Sequence, residues 1–263
     1  MRWVLLAALL CGCSCDDEPE LAAEGYVRCH QAAPIEGSRT HGDLRLSLDE
    51  RELTIEGLPD PFRVAVAAGP ASPEPPDADV AILLGEVAEA PRWSGGPLVL
   101  VLPGGTDAWD GWSSRLRSEA AAEAGVIDAT GLRRIRAGRV ELVPVAGAPA
   151  RYALPEACGL TEGDEDAWEL DAPPSGVTRV LVAWAAPEAA GLLGLPAGST
   201  EVRAVAREAR TSEVVFAWPS EDPRSVRAAA GRWVVRANGS REPPGWTLFE
   251  AGTGGWSRVA DSP

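Results

Sequence analysis

The chain has 263 residues, 45% of them hydrophobic, and a formal net charge of -15. This length and apolar content fit one large folded domain or two small ones, and they exclude a disordered chain. The negative charge argues against binding to nucleic acid and against electrostatic docking on anionic lipid.

The N-terminal residues MRWVLLAALLCGCSC carry the pattern of an export signal. Arg2 precedes an apolar run of about eight residues, which is too short to span a bilayer and is typical of a secretory signal peptide. The residues Leu10-Cys11-Gly12-Cys13 resemble a bacterial lipobox. We therefore expect cleavage after residue 12, lipid attachment to Cys13, and a location in the bacterial cell envelope.

Two neighbouring cysteines, Cys11 and Cys15, compete with Cys13 as the lipidated residue, and an ordinary cleaved signal with stray cysteines is the alternative. The small residue before Cys13 favours Cys13 among the three. Ser14 directly follows it, which by resemblance to sorted lipoproteins favours the outer membrane, facing the periplasm. Use of Cys15 would place Asp16 next to the lipid and favour the inner membrane instead.

The composition divides the chain into three parts. We interpret residues 1–12 as the signal peptide, residues 13–38 as the lipidated cysteine with an acidic tether, and residues 39–263 as the folded domain. Residues 16–24 are acidic and poor in large apolar side chains, which is typical of a solvated linker.

Two cysteines remain outside the N-terminal cluster, Cys29 and Cys158. Thiols tend to oxidise outside the cytoplasm, so a Cys29–Cys158 disulfide is the preferred pairing. Cys15 is then left over, and the sequence alone does not fix the connectivity. A metal or redox site at Cys29-His30 is a weaker interpretation, because no partner motif accompanies it.

Short apolar or alternating runs predict strands along the chain. Residues 44–48 and 53–55 alternate around a turn and predict a hairpin at the edge of the domain. The runs at 62–68, 80–84 and 98–102 are too short for helices and predict buried strands. Further strands are predicted at 126–127, 132–136, 140–145, 177–184, 213–218, 233–237 and 246–250.

Two helices are predicted later in the chain. One covers residues 113–124, with serines at its start and Gly125 beyond its end, and the other covers 199–210 with Ser199 or Thr200 as its N-cap. Residues 161–171 carry six carboxylates. We interpret that segment as an exposed acidic loop or helix end, because it lacks the oxygen-ligand spacing of a calcium loop.

Two of the buried runs end in small-residue turns that carry a carboxylate. Gly85-Glu86 follows the run at 80–84, and Pro103-Gly104-Gly105-Thr106-Asp107 follows the run at 98–102. In open α/β sheets, ligand sites lie in the crevice beyond the carboxyl ends of the strands. A chemical site is therefore expected at these two turns.

This series of strand ends resembles the calcineurin-like metallophosphoesterases. Their pattern is D-x-H after a first strand, G-D after a second and G-N-H-D/E after a third, then a lone His and a final G-H-x-H. The resemblance covers roughly residues 43–250, and no single motif is intact. It implies an α/β fold, a two-sheet β-sandwich flanked by helices in four layers, α/β/β/α.

The resemblance places the family's ligand motifs on residues that mostly cannot bind metal. The corresponding positions in this sequence are Ala68, Pro70, Glu86, Gly105, Thr106, Asp107, Trp184, Trp218 and Ser220. The chain has two histidines, His30 and His41, and both precede the first of these positions. A two-metal site of this family needs several imidazole ligands from later loops, so the chemistry looks removed while the scaffold looks kept.

The resemblance thus implies a catalytically silent domain with a binding or scaffolding role, which acts by binding another protein or a small ligand. A purely structural envelope lipoprotein without a ligand is a further alternative. Trp184 and Trp218 are expected to fill the former metal pocket, and no cofactor is expected beyond at most one weakly held divalent cation. The alternative is an active phosphoesterase with a rearranged single-cation site around Glu86, Asp107 and Asp110. A plainer interpretation makes Glu86 a solvated turn residue, Asp107 a cap and the tryptophans ordinary core.

Overall fold

The computed structural model describes residues 25–33, 37–68, 77–85, 96–117, 125–185, 199–216, 225–227, 233–236 and 245–261, with residues 22, 75, 87, 93, 121 and 123 between them. The side chains of residues 68, 225–227, 233–236, 260 and 261 are outside this description. The predicted signal peptide and lipobox also lie outside the described residues. Within the described residues, no helix is long and apolar enough to span a bilayer.

The described residues form seventeen strands, two α-helices and three short 3-10 turns. The strands and helices, in chain order, are β1 (Gly37–His41), β2 (Leu44–Asp49), β3 (Glu52–Glu56), β4 (Phe62–Ala68), β5 (Val80–Leu84), β6 (Leu98–Leu102), α1 (Trp109–Leu116), β7 (Val126–Asp128), β8 (Arg134–Ala137), β9 (Val140–Val145), β10 (Ala148–Pro149), β11 (Gly159–Leu160), β12 (Thr178–Ala183), α2 (Thr200–Glu208), β13 (Glu213–Phe216), β14 (Ser225–Arg227), β15 (Trp233–Arg236), β16 (Thr247–Gly252) and β17 (Gly255–Asp261).

Two large mixed sheets make up the fold. The nine-stranded sheet has the order β1-β2-β3-β8-β9-β12-β13-β15-β14, and the six-stranded sheet has the order β17-β16-β4-β5-β6-β7. Strands β4 to β7 pair in parallel, and so do β9, β12, β13 and β15. Parallel strands bring their carboxyl ends to one edge of a sheet, so each sheet gathers several strand-end loops at a single edge. The fold is therefore mixed α/β, as the sequence predicted.

The central strands β5 and β6 of the six-stranded sheet are buried on both faces. Ile82 of β5 belongs to an apolar cluster that also contains Leu142 of the nine-stranded sheet. The next residue, Leu83, belongs to a second cluster that contains Trp112 of α1. Successive residues of a strand point to opposite faces, so one face of this sheet packs on the other sheet and the opposite face packs on α1.

The helices agree with the sequence in part. Ser199 is the N-cap of α2, and its hydroxyl accepts a hydrogen bond from the N–H of Val202 at 3.0 Å, as predicted. Helix α1 begins at Trp109, four residues before its predicted start, so that prediction was wrong. Trp109, Trp112 and Leu116 are all buried, and their helical spacing sets the start of α1 more strongly than the serines do.

The acidic segment that the sequence assigned to an exposed position is partly buried. The described residues 25–33, which follow the acidic stretch 16–24, also pack on the body of the domain, with Tyr26 and Cys29 buried. The acidic segment 161–171 forms a 3-10 turn in which Asp164 and Trp168 are buried. The interpretation as an exposed loop was therefore wrong for those two side chains.

Candidate functional site

The carboxyl ends of strands from both sheets meet at one edge of the sandwich. The N–H of Gly147, just after β9, donates to the carbonyl oxygen of Pro103, just after β6, at 2.8 Å. Within the six-stranded sheet, the N–H of Gly85 donates to the carbonyl oxygen of Leu102 at 2.8 Å. These contacts bring the two small-residue turns together and define a crevice at the expected edge.

The indole ring of Trp184, which follows β12, packs into this crevice. A methyl group added to Gly104 would lie 2.7 Å from Nε1 of Trp184, and one added to Gly85 would lie 2.5 Å from its Cδ1. Gly105 faces Ala148, and a methyl group there would also approach the ring, at 3.3 Å from Cζ3. Only glycine at these turns leaves room for the ring, which is 7% exposed.

The carboxylate of Asp107 closes the turn that carries these glycines. Its Oδ2 accepts a hydrogen bond from the N–H of Gly104 at 2.6 Å, and the carbonyl oxygen of Gly104 accepts one from the N–H of Asp107 at 3.4 Å. Such side-chain bonds to nearby backbone are typical of Asp in turns. Thr106, between them, is exposed. The side chain of Asp107 therefore stabilises the backbone of this turn.

The structure places some of the predicted site residues and not others. Gly105, Thr106, Asp107 and Trp184 lie together at the crevice, and Ala68 ends β4 opposite Leu84 in the same sheet. Four further predicted positions lie outside the described residues: Pro70, Glu86, Trp218 and Ser220.

The described residues of the crevice do not fit a two-metal centre. An indole N–H is a donor and offers no lone pair to a cation, and glycine has no side-chain ligand. Among the described residues, no three His, Cys, Asp or Glu side chains lie close enough together to hold a metal ion.

The border of the crevice includes a loop that the sequence did not single out. We call residues 150–156 the rim loop. The N–H of Leu154 donates to the carbonyl oxygen of Gly105 at 2.8 Å, and the N–H of Glu156 donates to that of Gly25 at 2.6 Å. Cys29 and Cys158 form a disulfide, the pairing that the sequence favoured. The N-terminal segment is thus fastened beside the crevice.

His30, next to the disulfide, is buried in a charged cluster. Its Nε2 lies 3.6 Å from Oδ1 of Asp164, and its ring packs 5.6 Å from that of Trp168. Arg133 donates to the carbonyl oxygen of His30 at 2.7 Å. Burial lowers the pKa of His30 to about 4, although Asp164 opposes the shift; Arg133 and other nearby arginines lower it further. The imidazole is therefore neutral at neutral pH.

This buried neutral imidazole predicts acid sensitivity. The unfolded chain takes up a proton at His30 near pH 6.5 and the folded chain only near pH 4. The contribution of His30 to stability is therefore complete above pH 6.5 and falls as the pH drops toward 4. The loss from this group at pH 5 is about 2 kcal/mol, since one pKa unit corresponds to about 1.4 kcal/mol. Burial raises the pKa of Glu213 to about 7, so that carboxyl contributes in the opposite sense over the same range. The His30 contribution is therefore measured by urea unfolding of the wild type and of His30→Gln at pH 8 and pH 5.

His30→Gln isolates this contribution, because it leaves Glu213 in place. Between pH 8 and pH 5 the variant should lose about 2 kcal/mol less free energy of unfolding than the wild type, whatever its effect on stability at pH 8. Equal slopes in the wild type and in His30→Gln would contradict the assignment.

Comparisons with known proteins give a distant structural likeness. No protein-family model matches the chain, and no curated protein matches it. Among solved structures, the chain is similar to TT1561 of Thermus thermophilus, with 13% identity, a TM-score of 0.46, and coverage of 73% of this chain and 99% of that one. A second crystal structure is also 13% identical, with a TM-score of 0.45, and the alignment covers 72% of this chain and 95% of that one. Likeness at this level carries no argument about family or activity.

Proposed function

We propose that the protein is an envelope lipoprotein whose metallophosphoesterase-like domain is catalytically silent and serves to bind a protein partner. The observation that carries the proposal is the Trp184 ring packed on Gly85 and Gly104, where the resemblance expects metal ligands. Two-metal hydrolysis needs ions about 3.5–4 Å apart that activate a water and stabilise the leaving oxygen. An indole ring supplies neither the ligands nor the space.

The proposal includes the four-layer arrangement α/β/β/α. It is supported on one side by α1, whose Trp112 packs with the outward residues of the six-stranded sheet. On the other side, Val202 and Val205 of α2 share a cluster with Val182 of the nine-stranded sheet. Apolar packing in place of a charged cluster can preserve or raise the stability of the fold. This agrees with a domain that retains the fold and has lost the catalytic activity.

The proposal predicts that the purified protein neither retains transition metal nor hydrolyses phosphoesters. Elemental analysis after purification without chelator should find Mn, Fe and Zn well below one ion per chain, because the Trp184 ring occupies the crevice. A phosphodiester assay with bis(p-nitrophenyl) phosphate and added Mn²⁺ should give the buffer rate. One bound ion per chain, or turnover above buffer, would contradict the proposal.

The competing function is hydrolysis through a single cation at Glu86 and Asp107. If this function is correct, Glu86→Gln should abolish any turnover in the same assay. Glu162→Gln, the matched change at an exposed carboxylate, should leave the turnover unchanged. The geometry favours the silent domain, because the carboxylate of Asp107 is already bonded to the turn that carries it.

A further inference from the structure

The rim loop carries two exposed apolar side chains at its tip. Among the described residues, three large apolar side chains are substantially exposed, and two of them are Tyr152, at 48%, and Leu154, at 52%. Arg151 beside them is also exposed, with its guanidinium 4.9 Å from the Tyr152 ring and 2.6 Å from a carboxylate oxygen of Glu201. An aromatic ring with a polar end, an aliphatic side chain and a long cationic stem form the combination typical of membrane-interface residues.

The N-terminal segment joins the folded body directly beside this loop. Glu156, at the end of the rim loop, donates its N–H to Gly25 at 2.6 Å, and Val27 donates its N–H to Ala157 at 2.9 Å. The disulfide of Cys29 holds this attachment covalently. Any lipid at Cys13 is thus separated from the rim loop by residues 14–24, a stretch that extends to at most about 40 Å.

We propose that the rim loop is the face with which the protein rests on its own membrane, with Tyr152 and Leu154 inserted among the headgroups of a zwitterionic phospholipid surface. The inference rests on the lipid attachment proposed above. A net charge of -15 disfavours an anionic surface, so a zwitterionic one is the fitting partner. A lipid at Cys13 would keep the loop near the bilayer at an effective concentration of the order of millimolar, which reduces the affinity that the two side chains must supply.

This contact also sets the orientation of the domain. Leu154 is bonded to Gly105, so the crevice filled by Trp184 faces the bilayer together with the rim loop. The turn between β8 and β9, at Gly138 and Arg139, lies at the opposite end of β9 and faces away.

The test is photo-crosslinking of the full-length protein in vesicles of phosphatidylcholine and phosphatidylethanolamine. Benzoylphenylalanine is placed at position 154, at position 152, or at position 139, which is exposed but at the far end of the sheet. Mass spectrometry first measures lipid on the N-terminal peptide that begins at Cys13, and then measures phospholipid adducts on the labelled peptides. We expect adducts at 152 and 154 and none at 139.

The outcomes separate this inference from the proposal on which it rests. A chain without lipid at Cys11, Cys13 or Cys15 overturns the envelope lipoprotein itself and the inference with it. A lipidated chain whose adduct yields are equal at 154 and 139, or whose position 154 links to protein and not to phospholipid, overturns the membrane contact alone. Loss of the adducts at 154 on Tyr152→Ser, with unchanged thermal unfolding, would support cooperation of the two side chains.

Discussion

Replacing Trp184 with alanine is expected to lower the free energy of unfolding by about 3–5 kcal/mol, the range for large aromatic side chains in a core. The ring is 7% exposed and lies against Gly85 and Gly104, which have no side chains that could move into the space. The cavity therefore stays open instead of collapsing. Urea unfolding followed by near-UV circular dichroism measures the change.

A double-mutant cycle shows whether the ring packs where the structure places it. Gly104→Ala puts a methyl group 2.7 Å from Nε1 of Trp184, so it should cost about 1–3 kcal/mol in the wild type through overpacking. In the Trp184→Ala background the same change should cost little, because the obstacle is gone. Gly254→Ala, where a methyl group meets nothing within 4 Å, is the matched control. If Gly104→Ala lowers the free energy of unfolding equally in both backgrounds, the packing of the Trp184 ring on Gly104 is contradicted.

Removing the disulfide is the second large effect we expect. Cys29 and Cys158 are separated by 129 positions, and both are 1% exposed. Closing a loop of this length lowers the entropy of the unfolded chain, which on the chain-entropy model stabilises the folded state by about 5 kcal/mol. Removal of a native disulfide from a small secreted domain typically lowers the free energy of unfolding by about 2 to 5 kcal/mol. The Cys29→Ala, Cys158→Ala double variant should therefore unfold at a much lower urea concentration.

The matched control is Cys15→Ala, a cysteine that the pairing leaves over. It should leave the urea midpoint unchanged, and dithiothreitol should lower the midpoint of the wild type toward that of the double variant. A double variant as stable as the wild type would mean that the disulfide does not stabilise the fold.

Much of the strand content was predictable because its signals are local. The runs at β5 and β6 are apolar at every position and bounded by small residues, so their length alone favours buried strands. Strands β1, β10, β11, β14 and β17 were missed. In β17, Ser257 and Val259 are both exposed although one is polar and the other apolar, so the strand lacks a regular alternation of apolar and polar residues. The strand forms because it pairs with β16.

The crevice was predictable in outline because glycine-rich turns after parallel strands mark one edge of a sheet. What the sequence did not reveal depends on contacts between distant parts of the chain. The buried pair of His30 and Asp164 and the docking of Gly25 on Glu156 carry no periodic pattern. The composition of an acidic run such as 161–171 predicts exposure to solvent. Its partial burial depends on another segment of the chain that packs over it.

The disulfide also determines how mechanical load travels through the molecule. Cys29 and Cys158 close residues 29–158 into a covalent ring, which contains β1 to β10 and α1. A pull on the N-terminal end, resisted at a point beyond residue 158, crosses from one sulfur to the other and bypasses that ring. Half of the chain is thereby shielded from tension. The shielded half includes the ends of β5, β6 and β9 at the crevice, whereas Trp184 lies outside the ring.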